Sequence, residues 1–147
     1  MVKSTLPRPP ILLVEDTISL QIVYRSVLTS AGYAVTVASS ATEALARFKT
    51  LKPAVVLLDL VLPDRDGLEL MQELLAARPE TGLIAITANA ESTLGKEADI
   101  ALVLPKATEA CQNGLAPTTS TTMQMALGDA LAVALLEARG FSRQDFF

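Results

Sequence analysis

The 147-residue chain has no histidine, no tryptophan and a single cysteine, Cys111. Without histidine it can build neither a His-dependent catalytic triad nor an imidazole metal site. One cysteine excludes an internal disulfide and a cysteine-cluster zinc site, and Cys111 itself reads as a small buried apolar residue. Positive charge is also scarce: 12 Lys and Arg stand against 16 Asp and Glu, for a net charge of −4. With no cationic block, neither nucleic acid nor an anionic membrane is expected as the main partner. Long apolar runs are missing too, since Gly128, Asp129 and Glu137 interrupt Met123–Ala138, which is too short to span a bilayer. Residues 1–10, MVKSTLPRPP, carry no apolar segment of the secretory type, so 1–9 read as a disordered tail on a cytoplasmic chain. What the sequence does have is 50% hydrophobic residues, ample for one core at this length. A single domain over 1–147 is expected, as a monomer or weak homo-oligomer.

The most informative stretch is KPAVVLLDLVLPDRDGLE, residues 52–69. Apolar residues 54–58 and Leu60 surround Asp59, and a charge that close to a core needs a reason. Pro63, Asp64, Asp66 and Gly67 are turn residues that end the strand and let a helix begin at Gly67 or Leu68. Asp59 is thereby placed at the C-terminal edge of a buried strand, where open parallel α/β sheets collect ligands.

Before this stretch, Ile11–Val14 reads as a short buried strand ending on Glu15 and Asp16. Asp16 or Thr17 can cap a helix with Ile18, Ile22, Val23, Val27 and Leu28 on its buried face, stopping at Gly32. A strand at 33–38 follows. Ser40 and Glu43 then form a capping box for a helix whose stripe is Ala44, Leu45, Phe48 and Leu51. The third helix, 68–77, turns Leu70, Met71, Leu74 and Leu75 inward and is closed by Pro79. Further strands are expected at 83–87 and 100–104, with a helix within 91–98 between them. Residues 105–117 form a long connection, and the hydroxyl-rich run 118–122 precedes a helix over 123–139 that Gly140 ends, its Ala- and Leu-rich face buried. Ser142 with Asp145 can cap a last turn. Strands alternating with helices of this length call for right-handed crossovers and a parallel sheet covered on both faces.

Two family resemblances attach to these residues. ILLVED at 11–16 and LLDLVLPDRDGLEL at 57–70 resemble the receiver domain of bacterial two-component response regulators, over about residues 10–80. That resemblance implies a phosphorylatable Asp59, a Mg²⁺ site formed with Glu15 and Asp16, a hydroxyl after the fourth strand at Thr87, and a lysine after the fifth, loosely matched by Lys106. It also implies a histidine kinase as partner, provided the receiver chemistry survives. From Gly82 onward, LIAITANAESTLGKEADIALVLP and then TEACQNGLAPTTSTTMQMALGDALAVALLEARGFSRQDF are similar to the sugar isomerase (SIS) domain of arabinose-5-phosphate isomerases. The chain therefore reads as a chimera with a junction near residues 80–83. Both families share a flavodoxin-like, three-layer architecture, which implies a single five-stranded parallel sheet in the order 2-1-3-4-5.

In that sheet the first and third strands are neighbours, so Glu15, Asp16 and Asp59 converge. A hard divalent cation relieves the repulsion of three carboxylates, and Mg²⁺ suits a site with few protein ligands. The plainer alternative makes Glu15 and Asp16 helix-start residues favoured by the macrodipole, with Asp59 left over from a parent. Pro105 stands between the fifth strand and Lys106, and a one-residue shift reverses side-chain direction, so Lys106 reads as a solvated surface residue. Glu109 matches a glutamate that the isomerase family places in its active site. Aldose–ketose isomerisation needs an acid/base pair and phosphate-holding groups, which one glutamate without histidine does not supply. The expected function is accordingly a chimeric, engineered-type scaffold without a selected activity and not an enzyme. The alternative is a phosphoacceptor signalling module that binds Mg²⁺ and is phosphorylated on Asp59, and a sugar-phosphate isomerase ranks last.

Overall fold

The computed structural model describes residues 10–141 and Gln144; the tail expected at 1–9 and the turn expected from Ser142 and Asp145 lie outside the described residues. The chain divides into two compact units between Thr81 and Gly82.

In the first unit the elements are β1 (Ile11–Val14), α1 (Ile18–Ser30), β2 (Val35–Ala38), α2 (Ala41–Leu51), β3 (Val55–Leu58) and α3 (Gly67–Ala77). All strands are parallel in the order β2-β1-β3, and Val14 aligns with both Ala38 and Leu58. The central strand β1 is buried along its whole length. Its apolar run thus belongs to a strand covered on both faces. Leu12 and Val14 pack with Ala38, with Ala41, Ala44 and Phe48 of α2, and with Leu70 and Leu74 of α3.

Local chemistry sets the helix ends. Ser40, in extended conformation, caps α2 by accepting the Glu43 N–H at 3.2 Å, while the Glu43 carboxylate accepts from Ser39 N at 2.7 Å. Lys52, in the left-handed region at φ 47°, closes the same helix. Asp66 caps α3 by accepting from Leu68 N at 2.8 Å. At the far end of α3, Arg78 donates to the Pro53 carbonyl at 2.9 Å and its guanidinium lies 5.7 Å from the Phe48 ring centre.

The second unit contains β4 (Ile84–Thr87), α4 (Thr93–Glu97), β5 (Ile100–Val103) and α5 (Thr119–Ala138). Its two strands form a parallel pair in which Ile84 aligns with Ile100. Asp99 accepts from Leu83 N at 2.7 Å, and Ser92 caps α4 through Gly95 N. No helix of the described residues is long and apolar enough to cross a membrane.

Three sequence expectations require correction. The flavodoxin-like α/β character is present, but the strands are laddered as three and two, not as one sheet of five. Apolar runs identify strands without revealing whether both faces are covered. Here β3 leaves Val55 and Leu57 exposed, and β4 and β5 leave Ile84, Ile86, Ile100 and Val103 exposed. These are not strands buried on both faces, as β1 is. Second, Ile18, Ile22, Val23 and Val27 of α1 are exposed and Leu28 is half-buried. A 3.6-residue period shows that a face can be buried, not that a neighbour covers it. Third, α5 buries no residue at all, so the Ala- and Leu-rich face expected in the core is open. Among the described residues of the second unit only Ala85 is buried.

Helix α5 also starts at Thr119, four residues before the expected Met123. The hydroxyl run reads as a cap from sequence alone. In the fold, Glu109 supplies an acceptor from outside the helix, and the run itself can become helical.

Candidate functional site

The parallel pairing of β1 with β3 ends at Val14 and Leu58, so the next residues, Glu15 and Asp59, emerge side by side. Backbone bonds continue past the pair: Asp59 N donates to the Val14 carbonyl at 3.0 Å and Glu15 N to the Ala38 carbonyl at 3.1 Å. Carboxylate oxygens of Glu15, Asp16 and Asp59 all lie within 4.8 Å of one another. The structure therefore brings these three expected residues together.

Their environments differ. Glu15 is only 4% exposed, Asp16 is exposed and Asp59 is half-buried. Glu15 Oε1 accepts from Thr17 N at 3.0 Å, Asp16 Oδ1 from the Thr17 hydroxyl at 3.3 Å, and Asp59 Oδ1 from Val61 N at 3.1 Å. Each of these donors is neutral, and the ion pairs among the described residues pass the cluster by. Three carboxylates held close with neutral donors fit a hard cation with oxygen ligands.

Sequence reading did not single out two further side chains that bond near these loops. Asp64 Oδ1 accepts from Ala41 N and Oδ2 from Thr42 N, both at 2.9 Å, and Oδ2 also accepts from the Thr42 hydroxyl at 2.8 Å. The backbone N–H groups of Thr42 and Ala41 hold its carboxyl at a pKa of about 2. Gln21 Nε2 donates to the Glu15 carbonyl at 2.7 Å and to Ser39 Oγ at 3.0 Å. The Gln21–Ser39 and Asp64 contacts join residues 18 to 23 apart in sequence, where turn chemistry and helical periodicity carry no signal.

The remaining expected residues lie in the second unit. Thr87 ends β4, half-buried, with its hydroxyl oxygen accepting from Asn89 N at 3.1 Å. Lys106 is exposed beyond β5. Glu109 is committed to α5: Oε2 accepts from Thr118 N at 2.8 Å, the Thr118 hydroxyl at 2.9 Å, Thr119 N at 2.7 Å and Ser120 N at 3.3 Å. Hydrogen bonds from the Ser120 side chain and from Thr118 bring its pKa to about 2. Cys111 is half-buried, not buried as expected, because it lies in the open connection before α5; backbone N–H groups of Ala116, Asn113 and Leu115 push its thiol pKa down.

Residues 11–107 match the family model described as the response regulator receiver domain. Among solved structures, the response regulator TrrA from Thermotoga maritima in complex with Mg²⁺–BeF is 26% identical, with a TM-score of 0.56, covering 66% of this chain and 87% of that one. A phosphosugar isomerase involved in capsule formation from Bacteroides fragilis is 25% identical with a TM-score of 0.66, covering 94% of this chain and 74% of that one. Over 64 residues the chain is 61% identical to the arabinose 5-phosphate isomerase KdsD of Yersinia pestis. That segment is 44% of this chain and 20% of the relative, so this chain corresponds to a fifth of the isomerase it matches. A receiver-family match and a segment similar to part of an isomerase thus occur in one chain.

Proposed function

Because the chain belongs to the response regulator receiver domain family, we propose that it acts as a phosphoacceptor module that binds Mg²⁺ through Glu15, Asp16 and Asp59 and carries the phosphoryl group on Asp59. One observation carries this reading: the oxygens of those three carboxylates converge within 4.8 Å at the ends of neighbouring parallel strands. A Mg²⁺ ion there supplies positive charge that offsets both the mutual repulsion of the carboxylates and the charge of an incoming phosphoryl group.

The protein's own contribution begins with orientation. The Val61 N–H bond to Asp59 Oδ1 leaves Oδ2 to act as nucleophile on phosphorus. A new P–O bond forms at that oxygen as the bond from phosphorus to the donor breaks. With acetyl phosphate the leaving group is acetate; with a phosphohistidine of a kinase it is the imidazole. The receiver resemblance assigns supporting roles to Thr87 and Lys106, and because Pro105 precedes Lys106 in this sequence, slow phosphorylation is the expectation.

The test is intact mass after incubation with Mg²⁺ and acetyl phosphate beside an Asp59→Asn control. A single phosphoryl adduct absent from the control supports the reading. No adduct on folded protein overturns it.

A second reading has its own observation. Ala85 is the one buried residue among those described in the isomerase-like unit, and Glu109 is engaged as a helix cap. This favours an engineered-type chimeric scaffold whose isomerase-like half carries no activity, the outcome that a folded protein without adduct supports.

A further inference from the structure

We infer that the segment Ser39–Thr42, which leads from β2 into α2, is the common anchor of both loops that carry the site carboxylates, and that Gln21 and Asp64 are the positioning residues tying those loops to it. The inference rests on the carboxylate site proposed above and adds what fixes its spacing.

The parallel register ends at Val14 and Leu58, and one further backbone bond on each side, Asp59 N to the Val14 carbonyl and Glu15 N to the Ala38 carbonyl, reaches the first residues of the two loops; beyond them, Asp16 and residues 60–64 lie outside the ladder. From the β1–α1 side, the Gln21 amide spans the gap: one nitrogen donates to the Glu15 carbonyl at 2.7 Å and to Ser39 Oγ at 3.0 Å. From the β3–α3 side, Asp64 closes on Ala41 and Thr42 with three hydrogen bonds of 2.8–2.9 Å. Between the two attachment points, Ser39 N is held by the Glu43 carboxylate at 2.7 Å and Ser40 Oγ by Glu43 N.

The anchored segment is thus rigid against α2, and both tethers end on it. Ser40 caps α2 through Glu43 N, and Asp64, five residues beyond Asp59, takes the first two N–H groups of the same helix, Ala41 N and Thr42 N, 23 and 22 residues away in sequence. Between Asp59 and Asp64 the loop is further pinned by Val61 N on Asp59 Oδ1 and by the bridge from Val61 to Asp66. Moving either tether changes the separation of Asp59 from Glu15 and Asp16, and outer contacts of this kind alter metal affinity by roughly 10–100-fold.

Two backbone amides report the geometry without any metal. Thr17 N donates to Glu15 Oε1 and Val61 N to Asp59 Oδ1. In the metal-free protein, Asp64→Ala is expected to shift the Val61 amide resonance and Gln21→Ala the Thr17 resonance, each beyond the immediate neighbours of the substitution. Titration with Mg²⁺ should show weakening of about 10–100-fold in either variant. Asp64→Asn, which keeps one acceptor oxygen, should recover part of the loss. The double variant should lose no more than about the worse single one, since either break releases the same spacing.

Shifts confined to Ala41 and Thr42 in Asp64→Ala, with unchanged Mg²⁺ affinity, would make Asp64 a local helix contact and overturn the inference. Fully additive losses would mean two independent tethers and overturn it as well. Wild-type protein that takes up no Mg²⁺ but shows both amide shifts would sink the proposed function while leaving the anchor standing. If Asp64→Ala does not fold, Asp64→Asn and Gln21→Ala carry the same test, Gln21 lying outside the buried core.

Discussion

Gly67, the first residue of α3, approaches the end of β3 so closely that a Cβ there would stand 2.8 Å from the Asp59 carbonyl oxygen and 2.4 Å from Leu60 Cα. Its N–H meanwhile donates to the Leu60 carbonyl at 2.9 Å. The helix that follows the candidate phosphoacceptor therefore packs directly on that residue's backbone, with no room for a side chain.

Gly67→Ala must push apart two backbone segments, since no flexible side chain stands in the way to yield. Overpacking of this kind costs roughly 1–3 kcal/mol. Urea denaturation should show a lowered midpoint at unchanged slope. Because the displaced atoms belong to Asp59 and Leu60, the folded fraction should also bind Mg²⁺ more weakly than wild type. A variant as stable as wild type would mean that α3 moves away freely, and that this contact does not fix Asp59.

The core and the open face of the first unit should respond in opposite ways. Leu70 is fully buried against β1 and α2, so Leu70→Ala should cost about 2–5 kcal/mol. Ile22 lies on the apolar stripe of α1 yet is 63% exposed, and Ile22→Ala should stay within ~0.5 kcal/mol. Paired denaturation curves decide the matter. Equal losses would show that the α1 stripe is covered in solution.

That contrast marks how far the sequence could be read. Element types and order follow from periodicity and punctuation: Gly32 and Gly140 take positive φ just past α1 and α5, and the capping Ser40 and Asp66 sit where their residue types belong. Burial did not follow in the same way. The stripes of α1 and α5 have the pattern of covered faces, but covering is a property of the neighbour and not of the stripe. The same limit applies to the site. Glu15, Asp16 and Asp59 were legible because strand ends place them, whereas Gln21 and Asp64 act across 18 to 23 residues through contacts that no local pattern encodes. Glu109 was legible as a matched isomerase residue, but its bonds to α5 depend on how residues 109–118 fold back.

Cys111 offers a check on that same connection. Backbone N–H groups of Ala116, Asn113 and Leu115 favour its thiolate, and the residue is half-buried rather than enclosed. Alkylation by iodoacetamide should therefore follow a pH profile displaced below that of an ordinary cysteine. Unfolding in urea should return the profile to the ordinary value. A native profile at or above the unfolded one would mean that residues 113–116 do not turn their amides toward sulfur.

The acid response should separate the two units, because each has one carboxylate whose pKa is about 2 through hydrogen bonds at a helix start, from backbone N–H groups of Thr42 and Ala41 to Asp64 and from the Ser120 side chain and Thr118 N–H to Glu109. For Glu109 the folded value lies below the ordinary 4.5, so its contribution to holding α5 is fully present above pH 4.5 and is lost as pH falls toward 2. Asp64 behaves alike between 3.8 and about 2, and acts on α2. Protection factors from hydrogen exchange at residues 118–122, corrected for the intrinsic rate at each pH, should thus fall between pH 4.5 and about 2 in wild type. Glu109→Gln should show faster exchange there already at neutral pH, with little further change on acidification, while Asp64→Asn leaves the α5 amides as in wild type. Charge is the deciding factor, since the amide of Gln keeps one acceptor oxygen but loses the ionised hydrogen bonds. A carboxylate this acidic is also a poor proton acceptor near neutral pH, where a general base works best with a pKa close to 7. If Glu109→Gln instead leaves α5 protection intact, the carboxylate is free of the helix and the argument against Glu109 as a base loses its footing.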